Sequence, residues 1–156
     1  MLVWIRDGAH HPGRNTMYTE LVAVTELVRR AGLVPILTGD ALRGEALPEG
    51  SVDMILFWKD PTFAGADMRL RQLHFFEHLR RRHGLVGQLG VTTAGMDGPA
   101  LLGLPTLYFT QEPNVRMREW VGAVPGYEEI LREDGYLERV SRVLQSWAKA
   151  PKRDSL

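Results

Sequence analysis

The sequence predicts an α/β domain. Short apolar runs alternate along the chain with segments whose apolar residues recur every three or four positions, and glycine, proline and aspartate punctuate the joins. With 156 residues, 44% hydrophobic and 24% charged, the chain is long enough for one core and too apolar for wholesale disorder. The absence of cysteine excludes disulfides, cysteine-held zinc and thiol chemistry, and fits a reducing compartment. Lys plus Arg equals Asp plus Glu at 19 each, so no net charge draws the chain to nucleic acid or a membrane surface. No apolar stretch approaches the ~20 residues of a membrane span. The opening Met-Leu-Val-Trp-Ile-Arg-Asp lacks the pattern of a secretory leader, so the expected location is cytoplasmic.

Residues 2–6, an apolar run opening into a loop, predict a buried strand. Gly8, Pro12 and Gly13 break the chain, and Asn15 or Thr16 offers a cap for a helix to about Ala31. Met17, Leu21, Val24 and Val28 give that helix one apolar face, and Gly32 supplies a left-handed stop. Leu33 to Leu37 predicts a second strand and Asp53 to Trp58 a third, with a loop over residues 41–50 between them. Asp67 can cap a helix from Met68 to about Arg82, whose run Arg80-Arg81-Arg82-His83 suits the negative end of the helix dipole. Leu85 to Val91 predicts a strand, Met96 to Leu102 a short helix and Pro105 to Thr110 another strand. Residues 111–126 are expected as a long loop, and Tyr136 to Lys149 as an amphipathic helix through Leu137, Val140, Leu144 and Trp147.

Alternating strands and helices imply crossovers on both faces of a sheet. The expected architecture is a three-layer, Rossmann-like domain with a mostly parallel sheet of about five strands. One domain over residues 1–150 is expected, with 151–156 a frayed tail. In such sheets ligands sit beyond the carboxyl ends of the strands. That rule selects the segments Asp7 to Thr16, Thr38 to Leu42, Lys59 to Gly65 and Thr92 to Gly98.

The most informative stretch runs from Gly90 through Thr92, Thr93, Gly95, Met96, Asp97 and Gly98 to Pro99 and on to Phe109. A strand leads into a glycine-bearing turn and then a helix whose first turn tolerates Pro99. Amides left free at such a start bind anions, and threonine hydroxyls add donors. The plainer account is a strand-to-helix turn in which glycine serves only backbone geometry. Arg6 and Arg14 bracket the first loop, and guanidinium forks suit diphosphate oxygens. His10 and His11 lie between them; one of the two is a candidate general base, against the plainer account of two solvated rings.

The stretch from Thr92 to Phe109, with its hydroxyl pair, glycine turn and Leu101-Leu102-Gly103-Leu104-Pro105-Thr106 exit, resembles the donor-binding, C-terminal half of GT-B glycosyltransferases. It is most similar to the heptosyltransferase and fucosyltransferase groups, and Ile5-Arg6-Asp7 resembles the arginine-ended first strand of fucosyltransferase donor halves. The resemblance implies a nucleotide or nucleotide-sugar ligand whose diphosphate meets Arg6, Thr92, Thr93, Gly95 and Met96; the residues themselves add Arg14 and Gly98, and since arginines and a helix start can carry the diphosphate charge, no cofactor or metal is expected. Two departures stand out. Heptosyltransferases carry a histidine where this chain has Asp97, and a GT-B enzyme needs a second domain, so a partner subunit, a homodimer or a missing half is implied. Asp97 and His11 are the candidate catalytic residues.

Other motifs carry less. His74-Phe-Phe-Glu-His78 spells the inverted zinc-protease pattern, but no third ligand stands out and Phe75, Phe76 and Leu79 suit a packing helix. No Gly-x-Gly-x-x-Gly or Gly-Lys-Ser/Thr occurs, which excludes a standard dinucleotide fingerprint and a P-loop. Asp40, Asp60 and Asp97 stand at expected strand ends or helix starts, where each is a base, a ribose ligand or simply a cap. Two other function classes fit the same pattern. One is a nucleoside deoxyribosyltransferase-like enzyme with Asp97 as carboxylate nucleophile. The other is a non-enzymatic module docking through Trp120 and Tyr127.

Overall fold

Six short strands build one all-parallel sheet in the computed structural model, which describes residues 1–10 and 12–149. His11, the candidate base, and the tail 151–156 lie outside the described residues. The strands are β1 (Leu2–Ile5), β2 (Ile36–Gly39), β3 (Val52–Ile55), β4 (Gln88–Val91), β5 (Thr106–Thr110) and β6 (Tyr127–Leu131), in the spatial order 3-2-1-4-5-6. Five α-helices follow: α1 (Tyr18–Arg30), α2 (Met68–His83), α3 (Asp97–Leu101), α4 (Val115–Arg118) and α5 (Tyr136–Lys149).

Alternation along the strands splits the core in two. Val3, Ile5, Leu37, Leu89, Val91, Leu107 and Phe109 pack with Leu21, Val24 and Val28 of α1 and Val140 and Leu144 of α5. Leu2, Trp4 and Tyr108 pack with Phe76 of α2, Ala100 of α3 and Met117 of α4. The three-layer α/β architecture is therefore as the sequence predicts, with one strand more than expected.

The extra strand is β6. Its Tyr-Glu-Glu-Ile-Leu carries two glutamates in five residues, so no apolar run announces it. It forms because it needs only one neighbour, pairing β5 from Thr106↔Tyr127 to Thr110↔Leu131. The second strand starts later than its apolar run because the Leu33 amide is returned to the Val28 carbonyl in closing α1, and Pro35 has no amide to donate. The short α4 falls inside the expected loop, capped by the Asn114 side chain on the Met117 amide at 3.2 Å.

β3 also ends early. Leu56 turns into the left-handed region (φ 56°), which costs an L-residue about 1–2 kcal/mol. That turn seats Phe57 among Trp58, Phe63, Phe75 and Phe76, with ring centroids 5.7, 5.4, 5.8 and 5.3 Å away. At about 0.5–1.5 kcal/mol per aromatic pair, four contacts offset the strain. On α2 the basic run is partly neutralised within the helix. Glu77 receives Arg80 at 2.7 Å and Arg81 at 2.5 Å, and chiefly the Arg80 hydrogen bond holds its carboxyl down at about 2.

Candidate functional site

The order 3-2-1-4-5-6 places a topological switch between β1 and β4, where the chain leaves each strand toward opposite faces, and in parallel sheets such a switch is where a crevice forms at the carboxyl ends. Two segments separated by most of the chain meet there. The loop after β1 supplies Arg6, and the turn after β4 supplies Thr92.

The first loop is held by its own residues. Arg6 and Thr16 bond reciprocally, the Arg6 amide to Thr16 Oγ1 at 3.0 Å and the Thr16 amide to the Arg6 carbonyl at 2.8 Å. Asn15 spans the interior, accepting from the Gly8 amide at 3.0 Å and donating to Asp7 Oδ1 at 3.2 Å. This explains why Asn15 and Thr16 do not cap α1, whose cap position is Met17. Asp40, just beyond β2, accepts the Asp7 amide at 2.8 Å, and Arg43 pairs with the Asp7 carboxylate.

The Arg6 guanidinium bridges the crevice. Nη1 reaches the Thr92 carbonyl at 3.4 Å and Nη2 the His10 carbonyl at 3.0 Å. The first contact is at the long edge of a hydrogen bond, so the fork is lightly held. Arg14 is half-buried in the 3₁₀ turn Pro12–Arg14, and among the described residues it makes no ion pair. His10 is exposed.

The glycine turn is open at its tip. Ala94 and Gly95 are exposed and Thr93 is half-buried. Among the described residues the amides of Ala94 and Gly95 meet no backbone acceptor, because they begin the 3₁₀ turn Ala94–Met96 that precedes α3. The α-helical part is only five residues long, so its dipole is short.

Not every residue expected at the phosphates turns toward the crevice. Thr92 is buried and its hydroxyl donates to the Phe109 carbonyl at 3.3 Å. Met96 is fully buried in the core beside Trp4. Neither offers a free amide either: the Thr92 amide meets the Phe109 carbonyl at 3.3 Å and the Met96 amide the Thr93 carbonyl at 3.2 Å. Gly95 is required by packing: a Cβ there would stand 2.4 Å from the Trp4 ring. Gly98 similarly leaves 3.1 Å to Leu73 where α2 crosses α3. Asp97 faces α4 and pairs with Arg116, its carboxylate side chain 23% exposed.

Two supports of the site carried no sequence signal. Gln88, buried in β4, accepts the Trp4 indole N–H at 2.7 Å and donates to the Met96 carbonyl at 2.6 Å and Thr106 Oγ1 at 2.8 Å. It thereby fixes both the turn and the ring beneath it. Glu20 of α1 forms a buried ion pair with Arg132, accepts Tyr136 OH at 2.7 Å, and Arg132 also donates to the Asn15 carbonyl at 3.4 Å. The bonds of Glu20 and Arg132 span 112 to 117 residues and that of Gln88 to Trp4 spans 84, beyond any local pattern.

Trp120 and Tyr127, the expected docking aromatics, instead lie against each other at 6.3 Å, and Tyr127 is buried. Among the described residues no group of three His, Asp or Glu side chains gathers to hold a metal, and Glu77 of the zinc-like motif is engaged by arginines. A shallow groove of about 340 Å³ between α1 and α5 includes none of the strand-end residues. Among the described residues no helix is long and apolar enough to cross a membrane.

Tyr108, Tyr127 and Tyr136 are pushed well above their ordinary value, first by burial and then by Glu129, Asp97 and Glu20 respectively. A raised phenol stabilises the fold fully below its unfolded value near 10 and loses that contribution as pH rises further. An alkaline absorbance titration should therefore find three of the four tyrosines protonated until the fold opens, and ionising together with loss of near-ultraviolet dichroism.

Compared with known proteins, the chain matches no family model, no curated protein and no solved structure.

Proposed function

We propose that the chain binds the diphosphate of a nucleotide sugar at the β1–β4 switch and serves as the donor-binding half of a GT-B-type glycosyltransferase. The observation that carries this reading is the meeting of Arg6 with the open Thr92 to Gly98 turn at the one place where a 3-2-1-4-5-6 sheet has a crevice. The Arg6 fork and the exposed amides of Ala94 and Gly95 offer donors from both sides to one anion, and Arg14 adds a second cation on the same loop. Transfer of the sugar requires an acceptor surface facing this edge, supplied by a second domain or subunit.

Titration calorimetry with pyrophosphate, UDP-sugars and GDP-sugars tests the assignment. Charge-assisted hydrogen bonds contribute about 1.5–3 kcal/mol each, so Arg6→Ala should weaken binding roughly 10- to 100-fold. Arg6→Lys should recover only part of that loss, because an ammonium keeps the charge without the fork. Unchanged affinity in Arg6→Ala, with its melting temperature preserved, would sink the assignment.

A further inference from the structure

We infer that the face of the sheet covered by α2, α3 and α4 lies against an anionic lipid surface, its arginines on the headgroups and its exposed aliphatic side chains among the acyl chains. This inference stands apart from the diphosphate reading.

The neutrality of the whole chain hides an uneven distribution. Lys plus Arg equals Asp plus Glu at 19 each. Yet α2 carries Arg69, Arg71, Arg80, Arg81 and Arg82 against Glu77 alone, and α4 adds Arg116 and Arg118 against Asp97 of α3. Pairing leaves much of that charge standing. Glu77 is shared between Arg80 and Arg81, Asp97 is matched to Arg116, and Arg118 reaches Glu129 of β6 at 3.7 Å. Arg71 donates to the Thr62 carbonyl at 3.0 Å, which leaves its charge intact. Arg69 and Arg82 are exposed, and among the described residues their side chains make no hydrogen bond or ion pair. The exposed carboxylates Asp67 and Glu119 stand outside the helices, one before α2 and one after α4.

The same helices expose aliphatic side chains. Met68 is 37%, Leu70 53%, Leu101 65% and Val115 78% exposed. On α2, Leu70 belongs to the outer stripe with Arg71, His74, His78 and Arg81, opposite the buried Phe76. α3 adjoins α2, since a Cβ on Gly98 would stand 3.1 Å from Leu73, and Leu101 follows one turn later. Arg116 ties α4 to α3, so Val115 borders the same surface. One exposed aliphatic residue is ordinary, but four on a single arginine-rich face make the composition of an interfacial surface. The opposite face differs. There Glu26 takes both Arg29 and Arg30, and among the described residues Val22 is the one large aliphatic that α1 and α5 expose.

The apolar groups also choose between anionic partners. Aliphatic chains enter a lipid layer but give a nucleic-acid base no ring to stack on. The aromatic rings of α2, Phe75 and Phe76, are turned in against Phe57 at 5.8 and 5.3 Å. With the helical face down, the strands run along the lipid surface, and the carboxyl edge that carries Arg6 stays open to solute.

Cosedimentation of the full chain with vesicles of phosphatidylcholine alone, or with phosphatidylglycerol making up about a third, is the test. The mixed vesicles should bind roughly 10-fold more tightly or better at low salt, and added salt should shrink the difference. Arg69→Gln and Arg82→Gln should each weaken that binding about 5-fold. Arg142→Gln, exposed on α5 across the sheet, should leave it unchanged. Leu101→Ser combined with Val115→Ser should weaken it roughly 10-fold, and both positions are exposed, so the melting temperature should hold. No binding to the mixed vesicles, equal binding to both kinds, a loss in Arg142→Gln as large as in Arg82→Gln, or indifference to the paired serine replacements overturns the inference. So does tighter binding of a single-stranded RNA oligonucleotide than of the mixed vesicles at the same salt, which would make the arginines a nucleic-acid surface.

Discussion

Arg132→Met should be among the most destabilising single replacements in this chain, lowering stability by about 3–5 kcal/mol. The Arg132 and Glu20 side chains are 7% and 2% exposed, and each is the other's counter-charge. Removing one leaves a carboxylate in the core whose remaining donor is the Tyr136 hydroxyl. For a domain of this size the loss corresponds to a fall of roughly 10–15 °C in Tm, readable by calorimetry. The double variant with Glu20→Leu should recover much of the loss, because a buried ion pair is costly to break and much less costly to replace with apolar groups. A single variant within about 1 kcal/mol of wild type would show that the pair is solvated in the working protein. The effect should also reach the crevice, since Arg132 holds the Asn15 carbonyl and Asn15 spans the loop that carries Arg6.

Gly39→Ala should cost about 3 kcal/mol or more, from two separable causes. Gly39 has φ +110°, which an L-residue adopts with strain, and a Cβ there would lie 2.1 Å from the Ile5 carbonyl oxygen and 2.8 Å from the Ile5 nitrogen. Both obstacles are backbone atoms of β1, so no side chain can rotate away, and β1 and β2 must part. Gly32→Ala separates the causes. It has φ +77° but nothing within 4 Å, so it should lose only the conformational part, about 1–2 kcal/mol. Equal losses in the two variants, measured by denaturant unfolding, would remove close strand approach as the reason for Gly39. Because Asp40 follows this glycine and braces Asp7, Gly39→Ala should also impair whatever binds at Arg6.

The fold class was legible because burial imposes a local pattern. The run Leu2–Ile5 is buried throughout, and a strand covered on both faces must be continuously apolar. The helices α1 and α5 were legible for the same reason, each showing one buried stripe. β6 was not, because an edge strand buries only part of itself and its glutamates serve partners elsewhere: Glu129 takes Tyr108 and Asn114. The edge rule of parallel sheets put the loop after β1 and the turn after β4 on one sheet edge, where the Arg6 side chain meets the Thr92 carbonyl at 3.4 Å.

Residue types alone placed Arg6 and the Thr92 turn on the same edge of an α/β sheet, since strand ends and their breakers are written in consecutive residues. Which way each side chain faces was decided only in three dimensions. Thr92 and Met96 turn inward because Phe109 and the Trp4 cluster claim them, Gly95 is glycine because an indole lies beneath it, and Asp97 faces Arg116. Gln88, Glu20 and Arg132 take their roles from partners on other strands and helices, and a polar group's cost or worth in a core depends on the partner it finds there. Periodicity records how much of a segment is covered; it holds no record of what covers it.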